Sequence, residues 1–313
     1  MILLSDEEQI NGKYTSVALG VFDGVHRGHK AVIDAAAENA AANDLSAAVC
    51  TFRTATVDTK GTGFRPIYSD ETKCLLLEHE GAEYVYMPDF SRIKNNSAED
   101  FVRDILRKKM NAKTVVCGRD FRLGRGASCT AEGLSVLCRE NGMELIVVDD
   151  ITDNGVRICS SDIRKDIAEG DIVSANRLLG HDYAITGEVV NGNHFGRQMN
   201  FPTANQRMDS GCVLPKFGVY ASYAMIDGKF YKGVTNIGVK PTVEVGDAPH
   251  AETYFISFDG DLYGRNIVLR LMDFLRPEKR FPSIEALREQ IARDTETVRS
   301  SCLLYTSDAA DEL

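Results

Sequence analysis

The sequence predicts an α/β domain with a parallel sheet, followed by an all-β domain with antiparallel strands and a closing helix. Two observations predict this fold class. Before Asp182, short β-rich runs alternate with helical segments, and after it, runs rich in Val, Ile, Tyr and Phe are separated by Gly, Asn and Asp. Alternating strands and helices are typical of a parallel sheet covered on both faces. Successive strands joined by turns are typical of an antiparallel barrel or sandwich.

The elements of the first half follow from this periodicity. Ser97, followed by Ala98 and two acidic residues, is typical of a helix start. Strands are expected at 16–22, 47–52, 84–87, 114–117 and 145–148, and helices at 30–42, 70–80, 98–110 and 131–141.

The second half has a different pattern of predicted elements. Strands are expected at 184–190, 218–226, 230–236, 252–258 and 266–274, and one helix at 283–298. We therefore predict a first domain at 1–182, in which two short helical segments at 162–182 lead directly into a second domain at 183–299. The tail at 300–313 has little amphipathic pattern, and we expect it to be disordered or not native to the gene.

Composition limits the classes of function. With 313 residues and 43% hydrophobic content, the chain can form two domains with buried cores. The net charge of −10 argues against a nucleic-acid groove, which needs a basic stripe. The acidic N-terminus and the lack of a long apolar run predict a cytoplasmic protein without a membrane partner. Eight cysteines without a Cys-x-x-Cys pair predict reduced thiols and no zinc site. Oligomeric state is not predicted.

The most informative stretch, residues 20–29, reads Gly-Val-Phe-Asp-Gly-Val-His-Arg-Gly-His between a predicted strand and a predicted helix. Free backbone N–H groups and the helix dipole at such a turn favour an anion, and imidazoles can donate to it. The alternative is an ordinary turn shaped by glycines. The turn predicts a nucleotide site with His26 and His29 as catalytic donors, and with phosphate contacts at Gly20, Phe22, Asp23, Gly24 and Gly28.

The His-x-Gly-His turn is similar to the signature of the nucleotidyltransferase superfamily. The whole segment resembles the bifunctional riboflavin kinase and FMN adenylyltransferase family, the prokaryotic FAD synthetases. Two further segments of the first half support this resemblance. Residues 118–126 are similar to the family loop Gly-x-Asp-Phe-Arg-Phe-Gly, which implies flavin and nucleotide binding by Gly118, Asp120, Phe121 and Arg122. Residues 160–164 are similar to Ser-Thr-x-Ile-Arg, which implies ATP phosphate contacts from Ser160 and Ser161 and a catalytic role for Arg164 in stabilising charge on the pyrophosphate.

The second half has its own motifs. Residues 187–205 end in Asn-Phe-Pro-Thr-Ala-Asn, similar to the riboflavin kinase pattern with Asn200 in place of glycine. The resemblance implies that Thr203 and Asn205 bind Mg²⁺ with ATP and that Arg197 lies near the phosphates. Later matches, in the order of the family, include Asn236, as a flavin or nucleotide contact, and Glu252, which corresponds to the catalytic base. The alternative for Glu252 alone is an outward-facing glutamate on a strand, without a catalytic role.

The resemblance covers about residues 15–299. It implies a Rossmann-like nucleotidyltransferase domain and a riboflavin kinase-like antiparallel barrel with a closing helix. The implied reactions are phosphorylation of riboflavin by ATP to FMN, and adenylylation of FMN by a second ATP to FAD and pyrophosphate, with Mg²⁺. One departure is that residues 51–56 lack the Pro-His-Pro segment usual in the family. It motivates one alternative, a riboflavin kinase with impaired adenylylation. A non-catalytic flavin-binding regulator that keeps both folds is a separate alternative.

Overall fold

The structure, a computed structural model, describes residues 1–54, 64–190, 201–240 and 248–301. Contacts divide these residues into two units, Met1–Ser160 and the residues from Ser161 onward. Each unit is described below by itself.

The first unit contains a parallel sheet, as predicted. Its strands are β1 (Ile2–Leu4), β2 (Thr15–Leu19), β3 (Ser46–Cys50), β4 (Tyr84–Tyr86), β5 (Ala112–Gly118) and β6 (Glu144–Val148). They lie in the order β1-β4-β3-β2-β5-β6, and every neighbouring pair is parallel. All residues of β2 and β3 are buried, as expected for central strands covered on both faces.

Helices connect these strands. They are α1 (Arg27–Ala42), α2 (Asp70–His79), α3 (Phe90–Ile93), α4 (Ala98–Asp100), which continues as a π-helix (Phe101–Lys109), and α5 (Ala131–Glu140). The predicted helix start at Ser97 is confirmed, because its hydroxyl accepts a hydrogen bond from the Asp100 backbone N–H at 3.0 Å. A short 3₁₀ helix (Arg125–Ala127) and a hairpin of β7 (Thr152–Asp153) and β8 (Val156–Arg157) complete the described unit.

The strand order determines where a ligand can bind. After β2 the chain moves to β3 and β4 on one side, and it then returns to β5 on the other side of β2. Such a switch point leaves a crevice at the carboxyl ends of the two strands. Leu19 of β2 pairs with Cys117 of β5, so the turn at 20–29 and the loop at 118–126 begin side by side.

The second unit forms a closed antiparallel barrel within the described residues. Its elements are α6 (Ser160–Glu169), α7 (Ile172–Leu179), β9 (Tyr183–Val190), β10 (Ala204–Arg207), β11 (Gly218–Ile226), β12 (Lys229–Lys240), β13 (Ala248–Phe255), β14 (Asn266–Arg276) and α8 (Ile284–Ser300). The strands follow the order β10-β13-β12-β11-β14-β9, and β9 also pairs with β10. The sequence predicted either a barrel or a sandwich, and the structure shows the barrel.

The two faces of the barrel wall differ in chemistry. Hydroxyl groups of Ser222, Thr235 and Thr253 are buried inside, where they lie 2.7 and 2.8 Å apart in a hydrogen-bonded chain. On the outer face, Val298 of α8 is fully buried against an apolar cluster that includes Val219 and Val234. The predicted closing helix is thus confirmed, and it ends at Ser300 rather than Val298.

The helix before the barrel packs on the barrel strands. The Asn176 side chain in α7 donates to the Leu271 carbonyl at 2.9 Å and to the Asp182 carboxylate at 2.8 Å. The Tyr223 hydroxyl donates to the same carboxylate at 2.8 Å. The domain boundary at 182 stays a prediction, but the contacts place α7 with the barrel.

Candidate active sites

The turn after β2 has a left-handed backbone. Phe22 and Val25 have φ angles of 50° and 44°, and Gly24 has a φ of 84°. This geometry reverses the chain between the end of β2 and the start of α1. Gly20 is required there, since a Cβ at this position would lie 2.8 Å from the Phe22 ring.

His26 caps helix α1 with its side chain. Its Nδ1 accepts hydrogen bonds from the backbone N–H groups of Gly28 and His29, at 3.2 and 3.3 Å. These two N–H groups are therefore used in the cap, and the phosphate contact expected at Gly28 stays a prediction. Because Nδ1 is an acceptor, the proton of the neutral ring lies on Nε2, which can donate to a ligand. This cap also explains why α1 begins at Arg27, before the predicted start at Lys30.

His29 lies directly on His26. The two imidazole rings stack with their centroids 3.5 Å apart, and the Phe22 ring meets His29 edge-on at 5.4 Å. Burial, followed by the charges of His26, Lys73 and Arg157, keeps the pKa of His29 well below its ordinary value. Its Nδ1 is buried and has no hydrogen-bond partner within the described residues. His29 is therefore neutral at pH 7, with a polar atom that a ligand can satisfy.

These residues line a cavity of about 1040 Å³ in the first unit. Its wall contains the predicted residues Gly20, Phe22, His26, Gly28, His29 and Ser160, and the side chains of His26, His29 and Ser160 make this part polar. The loop after β5 supplies the predicted residues Gly118, Asp120, Phe121 and Arg122. An apolar part is formed by Phe52, Phe90, Ile93 and Phe101. A polar part beside an apolar one suits a ligand with a phosphate group and an aromatic ring.

Other predicted residues take different positions. Asp23 does not line the cavity. It is buried and accepts a hydrogen bond from the Ile67 backbone at 2.8 Å, while its own carbonyl accepts one from the Ser160 hydroxyl at 2.9 Å. Gly24 is likewise absent from the cavity wall. Ser161 and Arg164 lie in α6 of the second unit, and their roles stay predictions.

The loop after β5 is held by an arginine that sequence reasoning missed. Arg157 of β8 forms ion pairs with Asp120 and, at 3.4 Å, with Asp150. The residue lies in a two-residue strand with no motif around it, so only the fold brings it to the cavity. Its charge contributes to the low pKa of His29.

In the barrel, three predicted residues lie side by side across adjacent strands. Glu252 of β13 pairs with Asn205 of β10 on one side and with Asn236 of β12 on the other. Residues paired directly in this way present their side chains on the same face. That face is the outer one, since the neighbouring Thr235 and Thr253 point inward. The Thr203 hydroxyl donates to the Glu252 carboxylate at 2.7 Å.

Further contacts lie at the Asn236 end of this row, which consists of Asn205, Glu252 and Asn236. The Asn236 side-chain amide donates to the Glu278 carboxylate at 3.2 Å. The same carboxylate also lies against the backbone of Gly238. Beside the row, the rings of Phe201 and Tyr254 pack edge to face with centroids 5.0 Å apart. Arg197 and Asn200 lie outside the described residues.

The oxygen-bearing side chains of the row fit a hard cation. Thr203 supplies a hydroxyl oxygen, Asn205 an amide oxygen and Glu252 a carboxylate. Mg²⁺ prefers a few protein oxygens and keeps its other positions for phosphate and water. This donor set is consistent with the predicted roles of Thr203 and Asn205.

Comparisons with known proteins identify a family for each half of the chain. Residues 8–162 match the FAD synthetase family, and residues 179–302 match the riboflavin kinase family. The bifunctional riboflavin kinase/FMN adenylyltransferase of Escherichia coli K12 is 35% identical over 291 residues, which are 90% of this chain and 91% of the relative. The Bacillus subtilis protein of the same name is 34% identical, with 89% of each chain covered. The chain belongs to this bifunctional family.

A solved structure is similar over almost the whole chain. It is described as a macrolide-efflux protein from Streptococcus pneumoniae, is 29% identical and has a TM-score of 0.84, with 96% of this chain and 100% of that chain covered. The similarity to this solved structure supports the fold of both units.

In the part of the present chain that the structure describes, no helix is long and apolar enough to cross a membrane.

Proposed function

We propose that the first unit transfers AMP from ATP to FMN, and that the barrel transfers the γ-phosphoryl group of ATP to riboflavin. One observation carries this proposal. The stacked His26 and His29 lie at the cavity of one unit, whereas Glu252 lies within a row of polar side chains on the other.

In the adenylyl transfer, the FMN phosphate attacks the α-phosphorus of ATP in line, and charge moves onto the departing pyrophosphate. The Nε2–H of His26 and the neutral imidazole of His29 donate to these oxygens. In the His29 ring, the ligand provides a hydrogen-bond partner for the buried Nδ1. Both rings are fixed before the ligand arrives, since they stack and His26 also caps α1. Ser160, which lines the cavity, lies beside these phosphates in this proposal.

The apolar part of the cavity holds the flavin ring in this proposal. Phe52 and Phe90 pack edge to face with centroids 5.4 Å apart, and Ile93 and Phe121 also line the cavity. Such surfaces favour the binding of a flat aromatic ligand, because binding buries apolar surface and allows edge-to-face contacts between aromatic rings. The flavin phosphate then extends toward the polar part of the wall.

In the kinase reaction, Glu252 accepts the proton of the riboflavin 5′-hydroxyl as its oxygen attacks the γ-phosphorus. The hydrogen bond from Thr203 fixes the carboxylate beside Asn205. Thr203 and Asn205 would hold Mg²⁺, which supplies charge neutralisation on the transferred phosphoryl group. Asn236 contacts the flavin or the nucleotide in this proposal.

The direct test is to incubate the purified protein with riboflavin, ATP and Mg²⁺ and to separate the flavins by chromatography. We expect FMN to appear first and FAD to follow. FMN without FAD would instead favour a kinase with impaired adenylylation, which the unusual residues 51–56 motivate, and neither product would favour a flavin-binding regulator.

The barrel unit should work alone if it includes its own helices. A fragment of residues 161–301 is expected to fold and to phosphorylate riboflavin. A matched fragment that begins at Tyr183 lacks the Asn176 side chain, which donates to the Leu271 carbonyl and accepts from the Tyr183 backbone N–H. Since each such bond contributes about 1 kcal/mol, we expect its melting temperature to be lower by roughly 5 °C or more. Circular dichroism measures the melting, and a folded 161–301 fragment that makes no FMN would contradict the assignment.

A further inference from the structure

The first unit contains a buried lysine that no motif explains. Lys73 of α2 is 1% exposed. Its Nζ donates to the Phe52 carbonyl at 2.7 Å and reaches the Val21 carbonyl at 3.5 Å. Within the described residues, no carboxylate oxygen lies within ion-pair distance of this ammonium group. Lys73 therefore holds backbone carbonyls and forms no salt bridge there.

This position is costly for a cation. Lys73 lies in the first turn of α2, where the positive end of the helix dipole disfavours a positive charge. Burial lowers the pKa of Lys73 to about 8, although the charges of Asp70, Asp23 and Cys74 oppose this shift. A neutral residue would fill the same space without the cost of a buried charge. The charge thus has a role beyond packing.

The two carbonyls belong to loops that form the cavity wall. Val21 lies between β2 and Phe22, at the start of the turn that carries His26 and His29. Phe52 follows the neighbouring strand β3, and both Val21 and Phe52 line the cavity. The Thr51 hydroxyl also donates to the Val21 carbonyl, at 2.7 Å. Lys73 and Thr51 therefore tie the histidine turn to the end of β3.

We propose that Lys73 is a positioning residue of the adenylyltransferase site, and that its ammonium group fixes the histidine turn by holding the carbonyls of Val21 and Phe52. The inference rests on the proposed adenylylation of FMN in the first unit. It assigns to α2 a part in that reaction which the sequence motifs do not indicate.

The electrostatics of the site supply a second readout. Besides burial, the charges of His26, Lys73 and Arg157 lower the pKa of His29. Removal of the Lys73 charge removes one of these three contributions, so the pKa of His29 rises. We expect this rise to be detectable, because the histidine is buried and the charge is poorly screened.

The test compares Lys73→Met with Lys109→Met. Lys109 is a matched control, since it is 6% exposed and its Nζ also donates to backbone carbonyls, those of Ser5, Asp6 and Glu8 at 2.6–2.8 Å. It does not line the cavity. Lys73→Gln is a second variant, which keeps an N–H donor without charge and serves if the methionine variant does not fold.

Three quantities are measured on each full-length protein: the kcat for FMN adenylylation, the kcat for riboflavin phosphorylation, and the NMR titration of His29, assigned by comparison with His29→Asn. For Lys73→Met we expect adenylylation to fall by about tenfold or more, with unchanged phosphorylation and a raised His29 pKa. Lys109→Met is expected to retain adenylylation and the His29 titration.

The inference is overturned if folded Lys73→Met and Lys73→Gln keep adenylylation within about twofold of the wild type, or if Lys109→Met loses as much. An unmoved His29 titration in the Lys73 variants also overturns it. If the wild-type protein makes no FAD from FMN, the proposed function itself fails, so the two failures are distinguishable.

Discussion

Replacement of Glu252 by alanine is expected to reduce FMN production from riboflavin by about 10²- to 10⁴-fold, the range typical for loss of a general base. FAD formation from supplied FMN should persist, because Glu252 lies in the barrel unit. The measurement is a steady-state assay of each reaction with purified protein. Glu252 also accepts a hydrogen bond from Thr203, so the alanine variant removes both a base and a local contact.

A second substitution separates these two effects. Glu252→Gln keeps the size of the side chain and an oxygen that can accept from Thr203, but it cannot take the proton. We expect a loss of kinase activity similar to that of Glu252→Ala. Glu188 of β9, an exposed carboxylate on the same barrel, is the control, and Glu188→Ala should leave both activities unchanged. Normal phosphorylation of riboflavin by folded Glu252→Gln would contradict the role of Glu252 as base.

Replacement of His29 by alanine is expected to produce the opposite pattern. FMN should accumulate from riboflavin, and FAD formation should fall by about 10²- to 10³-fold, the typical cost of one donor to a developing charge. His29 is a cleaner target than His26, because the His26 ring also caps α1 and its loss would destabilise the helix. The measurement is the rate of FAD formation from FMN and ATP.

His79 provides the control for this prediction. It is exposed in the last turn of α2 and does not line the cavity. His79→Ala should therefore keep both activities. If His29→Ala remains folded and forms FAD at the wild-type rate, the assignment of the cavity to adenylyl transfer is wrong.

The sequence predicted those features of the fold that depend on local periodicity. The central strands β2, β3 and β5 and the helix α1 are each indicated by a run of apolar or helical residues, and all four form. Short elements were missed, because β1 has three residues and β10 has the polar sequence Ala-Asn-Gln-Arg, which lacks an apolar run. Their strand character comes from pairing with neighbours.

The candidate sites were predictable to the extent that they depend on sequence neighbours. His26 and His29 are one helical turn apart, so their proximity follows from the chain itself. Asn205, Asn236 and Glu252 lie far apart in sequence, and only the register of three barrel strands aligns them. That register is a tertiary property, which a single sequence does not reveal.

Residues without a motif could not be found in this way. The fold brings Arg157 to the loop after β5 and Lys73 to the start of the histidine turn, and each is an ordinary basic residue in the sequence. A lysine in the first turn of a helix is a weak signal, because most such residues are solvated. Burial is what distinguishes Lys73, and burial depends on the fold.

The central claim is that two independent sites, on two units of one chain, act in succession. Mixing the Glu252→Ala and His29→Ala proteins tests it most directly. With riboflavin, ATP and Mg²⁺, neither variant alone should make appreciable FAD, whereas the mixture should make it, because FMN from the His29 variant is adenylylated by the Glu252 variant. A mixture that makes no FAD, while each variant keeps its remaining activity, would contradict the claim.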